Sequence, residues 1–378
     1  MKPYPFVFGK AVKGAYFTDR EKETAKLEAN LRNGVNTILV SPRRIGKTSL
    51  VEKVRKRFIN EEGYKVVFLD IFKCRNEEEF LQSFSDNVLR QTASKMEEWI
   101  SIAKKFLYRL GPKINISPEP GSGISLGFDL RPSSDNAEEI LRLPQKIAEL
   151  KKSRIIICID EFQQIGEFKD SLSFQKLLRT YWQHQEDVTY CLFGSRKHMM
   201  NELFEKNSNP FYKFGDIINL QKIPEDIWVK FIKERFKETG KEISETTARQ
   251  ICELTDNYSC YVQQLSLILW NNFDENLQET SLKEAYEELL EHCGVLFEQQ
   301  TIDLTSYQMN FLHAIIDGHS VDLSKSSVIK KYGLSSSSNV QRLKSSLLKK
   351  ELIDIENRGY VITDPILKEW LRRIFYSS

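Results

Sequence analysis

Lys47 and Thr48 close the run Ser41-Pro42-Arg43-Arg44-Ile45-Gly46-Lys47-Thr48 and lead into Ser49-Leu50. An ammonium and a hydroxyl beside a basic, glycine-containing turn are the groups that hold a chain of phosphates. The turn's backbone N–H groups and the helix N-terminus behind them favour an anion. In that reading residues Ser41 through Ser49 contact the phosphates. Lys47 reaches the terminal ones, and Thr48 ligates Mg²⁺. Gly46 lets the backbone pass close by with no Cβ in the way. Ser41 stands where the pattern G-x-x-x-x-G-K-[ST] has its first glycine, so it closes the turn only at negative φ or under strain. Taken alone, Gly-Lys-Thr also fits an ordinary helix start with a basic first turn.

A second constellation is Arg154-Ile155-Ile156-Ile157-Cys158-Ile159-Asp160-Glu161. An apolar run delivers two adjacent carboxylates at its end, where ligands bind in open α/β sheets. Asp160 then holds Mg²⁺, directly or through water, and Glu161 polarises a water for in-line attack on a γ-phosphate. The alternative is a solvated turn. A third run, Val188–Phe193, ends in Gly194-Ser195-Arg196-Lys197. With its strand between the other two, Ser195 or Arg196 senses the γ-phosphate, and Arg196 neutralises charge developing on it. The competing reading is a surface turn with two solvated cations. No Asn-Lys-x-Asp or Thr-Lys-x-Asp segment for reading guanine occurs, which leaves adenine as the expected base.

These residues need a scaffold. Asn36–Val40, Lys65–Asp70, Arg154–Ile159, Val188–Phe193 and Ile217–Leu220 are near-continuous apolar runs, as expected of parallel strands buried on both faces. Helical patterns lie between them at roughly 47–60, 76–92, 136–152 and 170–185. The fold class is therefore α/β, a parallel sheet with helices on both faces joined by right-handed crossovers. Residues 111–134, rich in Gly and Pro, read as a loop or hairpin inserted at the rim.

The chain has 378 residues, which at ~150 per domain allows two or three domains. Its 55 Lys and Arg against 53 Asp and Glu leave a formal charge of +2, which argues against a nucleic-acid coat or an acidic tail. The longest apolar run has five residues, far short of the ~18 that span a bilayer, so no membrane association is expected. Six dispersed cysteines without metal spacing read as buried or free thiols of a cytoplasmic protein.

Charge is unevenly spread. Residues 1–221 carry 36 basic and 29 acidic side chains, 222–302 carry 8 and 16, and 303–378 carry 11 and 8. The acidic middle reads as four amphipathic helices near 225–238, 244–254, 260–272 and 280–297, its acidity a solvated surface. Residues 303–376 read as helices at 305–317, 323–331 and 335–349. Two short strands follow, Leu352–Ile355 and Tyr360–Thr363, in the order of a winged helix-turn-helix. Three domains are expected: 1–221 an α/β nucleotide domain, 222–302 a helical lid, 303–378 a winged helix. Lys325–Lys350 holds seven basic residues and no acidic one, with Arg342 and Lys344 on the would-be recognition helix. Duplex DNA is one candidate partner. A protein docked on the same domain is the other.

Phe17-Thr18-Asp19-Arg20-Glu21-Lys22-Glu23, the Pro42–Leu50 segment, Ile159-Asp160-Glu161-Phe162-Gln163, Asn209-Pro210-Phe211-Tyr212 and Asp364–Trp370 together resemble the archaeal-type ATPase family. That family lies in the STAND branch of AAA+-related P-loop ATPases. The resemblance covers most of the chain. It implies ATP and Mg²⁺ bound between the sheet domain and a helical lid, Phe17 and Arg20 near the adenine, and a C-terminal winged helix. Two positions depart from it. Tyr258-Ser259-Cys260 stands where Gly-x-Pro is usual, and Lys213 where an Arg is frequent, which lacks the planar fork of an arginine finger. The function expected is an ATPase coupling ATP binding and hydrolysis to a conformational change. The alternative is a nucleotide-gated DNA- or protein-binding switch with negligible turnover. The oligomeric state is left open.

Overall fold

The computed structural model describes residues 4–107, 112–115, 125–128, 134–272, 279–356 and 358–376. Its contacts gather into two compact units. One is Arg20–Arg43 with Lys47–Leu220; the other is Met1–Asp19, Arg44–Gly46 and Gln221–Ser378.

The first unit runs α1 (Glu21–Arg32), β1 (Thr37–Val40), α2 (Lys47–Ile59), β2 (Tyr64–Asp70), α3 (Glu77–Thr92), α4 (Met96–Leu107), β3 (Pro112–Asn115), β4 (Ser125–Phe128), α5 (Ser134–Lys151), β5 (Arg154–Asp160), α6 (Ser171–Trp182), β6 (Val188–Gly194), α7 (Lys197–Glu205) and β7 (Asp216–Asn219). Five strands form one sheet in the order β2-β5-β6-β1-β7, and every pairing in it is parallel. All five strands expected from the apolar runs are present, and β6 lies between β1 and β5 as the third motif required. Pleating sends alternate residues to opposite faces. Ile155, Ile157, Ile159, Tyr190 and Leu192 enter the larger core on one face. Ile156, Cys158, Cys191 and Phe193 are equally buried on the other. That double burial is why these strands read as unbroken apolar runs. Cys158 and Cys191 stand opposite each other in the β5–β6 register, and all six cysteines are free.

The larger core is dominated by aromatic rings. Trp182 stacks on Tyr190 with centroids 4.2 Å apart and also meets Phe84, Phe162 and Phe211. Such pairs contribute ~0.5–1.5 kcal/mol each beyond their buried area. β3 and β4 pair antiparallel, so part of the 111–134 insertion is a two-stranded ladder. Its Pro118 and Pro120–Gly123 lie outside the described residues. α1, α4 and α7 are additions to the expected pattern.

The second unit contains α8 (Glu225–Glu238), α9 (Glu245–Leu254), α10 (Ser259–Asn271), α11 (Glu279–Thr301), α12 (Ser306–Ile316), α13 (Ser326–Lys331), α14 (Ser337–Lys349), β8 (Ile353–Glu356), β9 (Gly359–Ile362) and α15 (Pro365–Tyr376). Leu282, Tyr286, Leu289 and Leu290 of α11 are buried together, as their spacing predicts. β8 and β9 form the antiparallel wing behind the helices α12, α13 and α14. The final helix, α15, is an addition to the expected pattern. Its start is written in Asp364-Pro365: the Asp364 Oδ1 accepts from the Ile366 and Leu367 N–H groups at 2.9 and 3.1 Å, and proline suits the first helical position.

α15 is tied back to α12 through Asp317. The hydroxyls of Tyr332 and Tyr376 donate to its carboxylate, with Lys331 Nζ at 3.5 Å and His313 Nε2 at 3.7 Å. The Tyr332 and Tyr376 hydrogen bonds, aided by His313 and Lys331, hold its pKa down at about 2. A carboxyl depressed on folding adds stability above its unfolded pKa of ~3.9, and that stability is lost as pH falls through the folded value. Asp317→Asn is therefore expected to cost ~1 kcal/mol at pH 7, a figure reduced for solvent screening. In chemical melts the gap between variant and wild type should close between pH 4 and pH 2. A gap independent of pH would show that charge is not the source.

Candidate nucleotide site

The C-terminal ends of β1, β5 and β6 converge on one cluster of polar side chains. α2 begins directly at Lys47, so the lysine projects from the first turn of a helix that β1 delivers. The residue is only 7 % exposed, and its ammonium lies over the Phe193 ring, 5.3 Å from the centroid. The ammonium sits 3.1 Å from Asp160 Oδ1 and 3.6 Å from Glu161 Oε1. The Thr48 hydroxyl lies 3.4 Å from Asp160 Oδ2. Asp160 also accepts from the Glu161 N–H at 2.8 Å.

Glu161 leaves the sheet in the left-handed region at φ 54°, which costs a non-glycine residue on the order of 1 kcal/mol. The next residue, Phe162, is fully buried against Trp182, Phe204 and Phe211, and so anchors the turn. The Glu161 Oε2 accepts from Ser195 Oγ at 3.0 Å and from Gln163 Nε2. Ser195 in turn accepts from Arg43 Nε at 3.4 Å.

The two carboxyls, though neighbours, are pushed in opposite directions. Burial raises the pKa of Asp160, and the nearby Lys47 charge does not fully offset it. Burial also acts on Glu161. There Lys47, the Gln163 and Ser195 hydrogen bonds and Arg43 together outweigh it, holding the group below the usual carboxylate range.

The structure thus brings together Lys47, Thr48, Asp160, Glu161, Ser195 and Arg43. Ser41 is buried and stays out of the positive-φ region, its hydroxyl donating to Pro42 O at 3.1 Å. Within the same turn it is Arg44 that takes the left-handed conformation, at φ 66°. Gly46 adopts φ 96°, a conformation that only glycine takes without cost. Arg44, Ile45 and Gly46 group with the second unit. There Arg44 O accepts from the Cys260 N–H at 3.1 Å, and the Arg44 guanidinium meets Tyr261 and Asp364. Ser49 is buried on α2. Arg20 is buried and pairs with Glu23 at 3.1 Å. Phe17 belongs to the second unit. Arg196 pairs with Glu167 at 3.0 Å. On α14, Arg342 is exposed, whereas Lys344 is half-buried with its ammonium 4.9 Å from the Tyr360 ring centroid. Gln163 joins the cluster at Glu161, donating to its carboxylate. Its link to Glu161 could be found only once β6 was seen to pack beside it.

A parallel sheet in this strand order, with a Gly-Lys-Thr turn after one strand and paired carboxylates closing another, is the architecture of P-loop ATPases. The chain belongs to the family described as an ATPase domain predominantly from Archaea, which matches residues 17–265. A winged helix domain matches residues 295–373. Among solved structures, the Walker-type ATPase PABY2304 of Pyrococcus abyssi is similar over 97 % of this chain and 99 % of its own, at 20 % identity and a TM-score of 0.67. The ORC2 protein of Aeropyrum pernix, in ADPNP–ADP complexes, is similar over 98 % of both chains, at 14 % identity and a TM-score of 0.56. The ORC1 protein of the same organism, in complex with DNA, is similar over 96 % of this chain and 94 % of its own, at 11 % identity and a TM-score of 0.51. At these identities the likeness is one of fold. No curated protein matches the chain. Among the described residues, no helix is long and apolar enough to cross a membrane.

Proposed function

We propose that the protein is a Mg²⁺-dependent ATPase of the STAND branch, working in the cytoplasm, in which ATP binding and hydrolysis drive a conformational change. The observation that carries this reading is the meeting of Lys47, Thr48, Asp160 and Glu161 at one end of the sheet. A hydroxyl and a carboxylate side by side are hard oxygen donors and suit Mg²⁺, so Thr48 and Asp160 fit that ion. When bound, Mg²⁺ supplies charge neutralisation at the phosphate oxygens. Lys47 exchanges its carboxylate partners for the terminal phosphates, with the backbone of residues 41–49 around them. Glu161 orients a water and accepts its proton as the γ-phosphoryl group passes to it, giving ADP and phosphate. Ser195 and Arg196 report the γ-phosphate, and Phe17 and Arg20 serve the adenine. Steady-state ATP hydrolysis, with and without duplex DNA, tests the reading. No turnover under either condition would leave a nucleotide-gated switch.

Duplex DNA is the partner that the winged helix favours, because Arg342 is exposed on α14 within a stretch of seven basic and no acidic residues. β8 supplies Asp354 and Glu356 to the wing, with the exposed Arg358 beside them at its tip, so most of the attraction is expected from the helix. Each phosphate contact contributes a log–log salt slope of about one. Reversing Arg342 and Lys344 to Glu is expected to weaken DNA binding and flatten that slope by one to two units, Arg342 contributing more. ATP affinity should stay unchanged. Gel shifts at two salt concentrations measure this. A wild type with no salt-sensitive shift, with or without ATP, would remove DNA and leave a protein partner.

A further inference from the structure

Resting on the ATPase reading, we propose that Gln163, seated against Gly194, is the positioning residue that fixes the Glu161 carboxylate, and that Gln163 and Gly194 act as one device. Glu161 begins the short turn Phe162–Glu167 with no side-chain hydrogen bond to that turn's backbone, so its own backbone leaves the carboxylate without a fixed direction. Three side chains supply one: Lys47 at Oε1, and Ser195 and Gln163 at Oε2. In the proposed cycle two of them, Lys47 and Ser195, are wanted by the phosphates. Gln163 is not. It is 2 % exposed and keeps its hold while the others change partner.

The shape of its pocket is specific. A Cβ at Gly194 would lie 1.8 Å from Gln163 Oε1, 2.9 Å from its Cδ and 2.9 Å from Met200 Sδ. The Gly194 φ is not in the positive region, so what a side chain here would displace is the Gln163 amide and the Met200 thioether, not the backbone. The amide's orientation is equally fixed. Its Nε2 must face Glu161, since the reverse would set a carbonyl against a carboxylate. The consequence is an Oε1 buried with no hydrogen-bond partner. An orphaned buried oxygen is unfavourable, and a methionine of the same length would avoid it. A side chain kept for packing alone would not retain that oxygen. The donor on the other half of the amide accounts for it.

The test is Gln163→Met, which fills the same space without a donor. Thermal stability is expected to be equal or higher. The ATP KM should stay unchanged while kcat falls about 10- to 100-fold, the signature of a misdirected catalytic group rather than lost binding. Gly194→Ala, which drives the amide away, should lower kcat alike, and the double variant should lose no more than either single one. Crystal structures of wild type and Gln163→Met read the positioning without turnover: the Glu161 carboxylate is expected to leave its place beside Ser195. An unmoved carboxylate, or a wild-type kcat in Gln163→Met, overturns the proposal. A wild type that hydrolyses no ATP defeats the ATPase reading alone, and the two crystal structures then still decide whether Gln163 positions Glu161.

Discussion

Lys47→Ala is expected to abolish tight MgATP binding while the sheet unit stays folded. The lysine supplies the charge-assisted contacts to the terminal phosphates, and hydrogen bonds of that kind contribute ~1.5–3 kcal/mol each. Affinity measured by calorimetry should therefore fall on the order of a hundredfold or more. The fold survives for an electrostatic reason. Without the ammonium 3.1 Å away, Asp160 loses the charge that offsets its burial, and it can take up a proton rather than remain a buried anion beside Glu161. Circular dichroism and a cooperative melt would report the intact fold. Unchanged nucleotide affinity would sink the site assignment.

Glu161→Gln separates binding from chemistry. The amide has nearly the same shape and can still accept from Ser195 and Gln163 through its oxygen. It cannot take a proton from an attacking water. Hydrolysis should drop ~10²–10⁴-fold, the usual contribution of a general base, while ATP affinity holds and the bound state accumulates. Single-turnover kinetics with labelled ATP would show this. A variant that hydrolyses at the wild-type rate would show that another group activates the water.

The α/β sheet was open to reading because its three central strands, β1, β5 and β6, are buried on both faces. Each is an unbroken run such as Ile155–Ile159, and each of the two central motifs ends such a run. The spacing of Leu282, Tyr286, Leu289 and Leu290 gave the inward face of α11 equally directly. What escaped was of two kinds. α15 and α7 escaped because Asp364-Pro365 and Arg196-Lys197 read as motif residues, although both also start helices. The hold of Gln163 on Glu161 escaped for a deeper reason. It depends on the absence of a side chain at Gly194, thirty-one positions along the chain, and no periodicity marks such a coincidence. Likewise, nothing in Arg44 foretold that it would bear the left-handed conformation near a serine standing in for glycine.

The cysteine pair at the centre of the sheet gives the protein a built-in clock. Cys158 and Cys191 are 1 % and 0 % exposed, and mutual contact and burial keep the Cys191 thiol protonated far above its ordinary pKa. A thiolate-seeking reagent in the surrounding solution meets neither sulfur until β5 and β6 come apart. Their modification thus proceeds at the pace of openings in the sheet. Cys260 and Cys293 in the second unit, both partly exposed, keep a different time. Cys252, fully buried in the second unit, reports that unit's openings in the same way in the unaltered chain. Any ligand that closes the sheet slows the Cys158 and Cys191 clock by a factor of one plus the ratio of its free concentration to its dissociation constant.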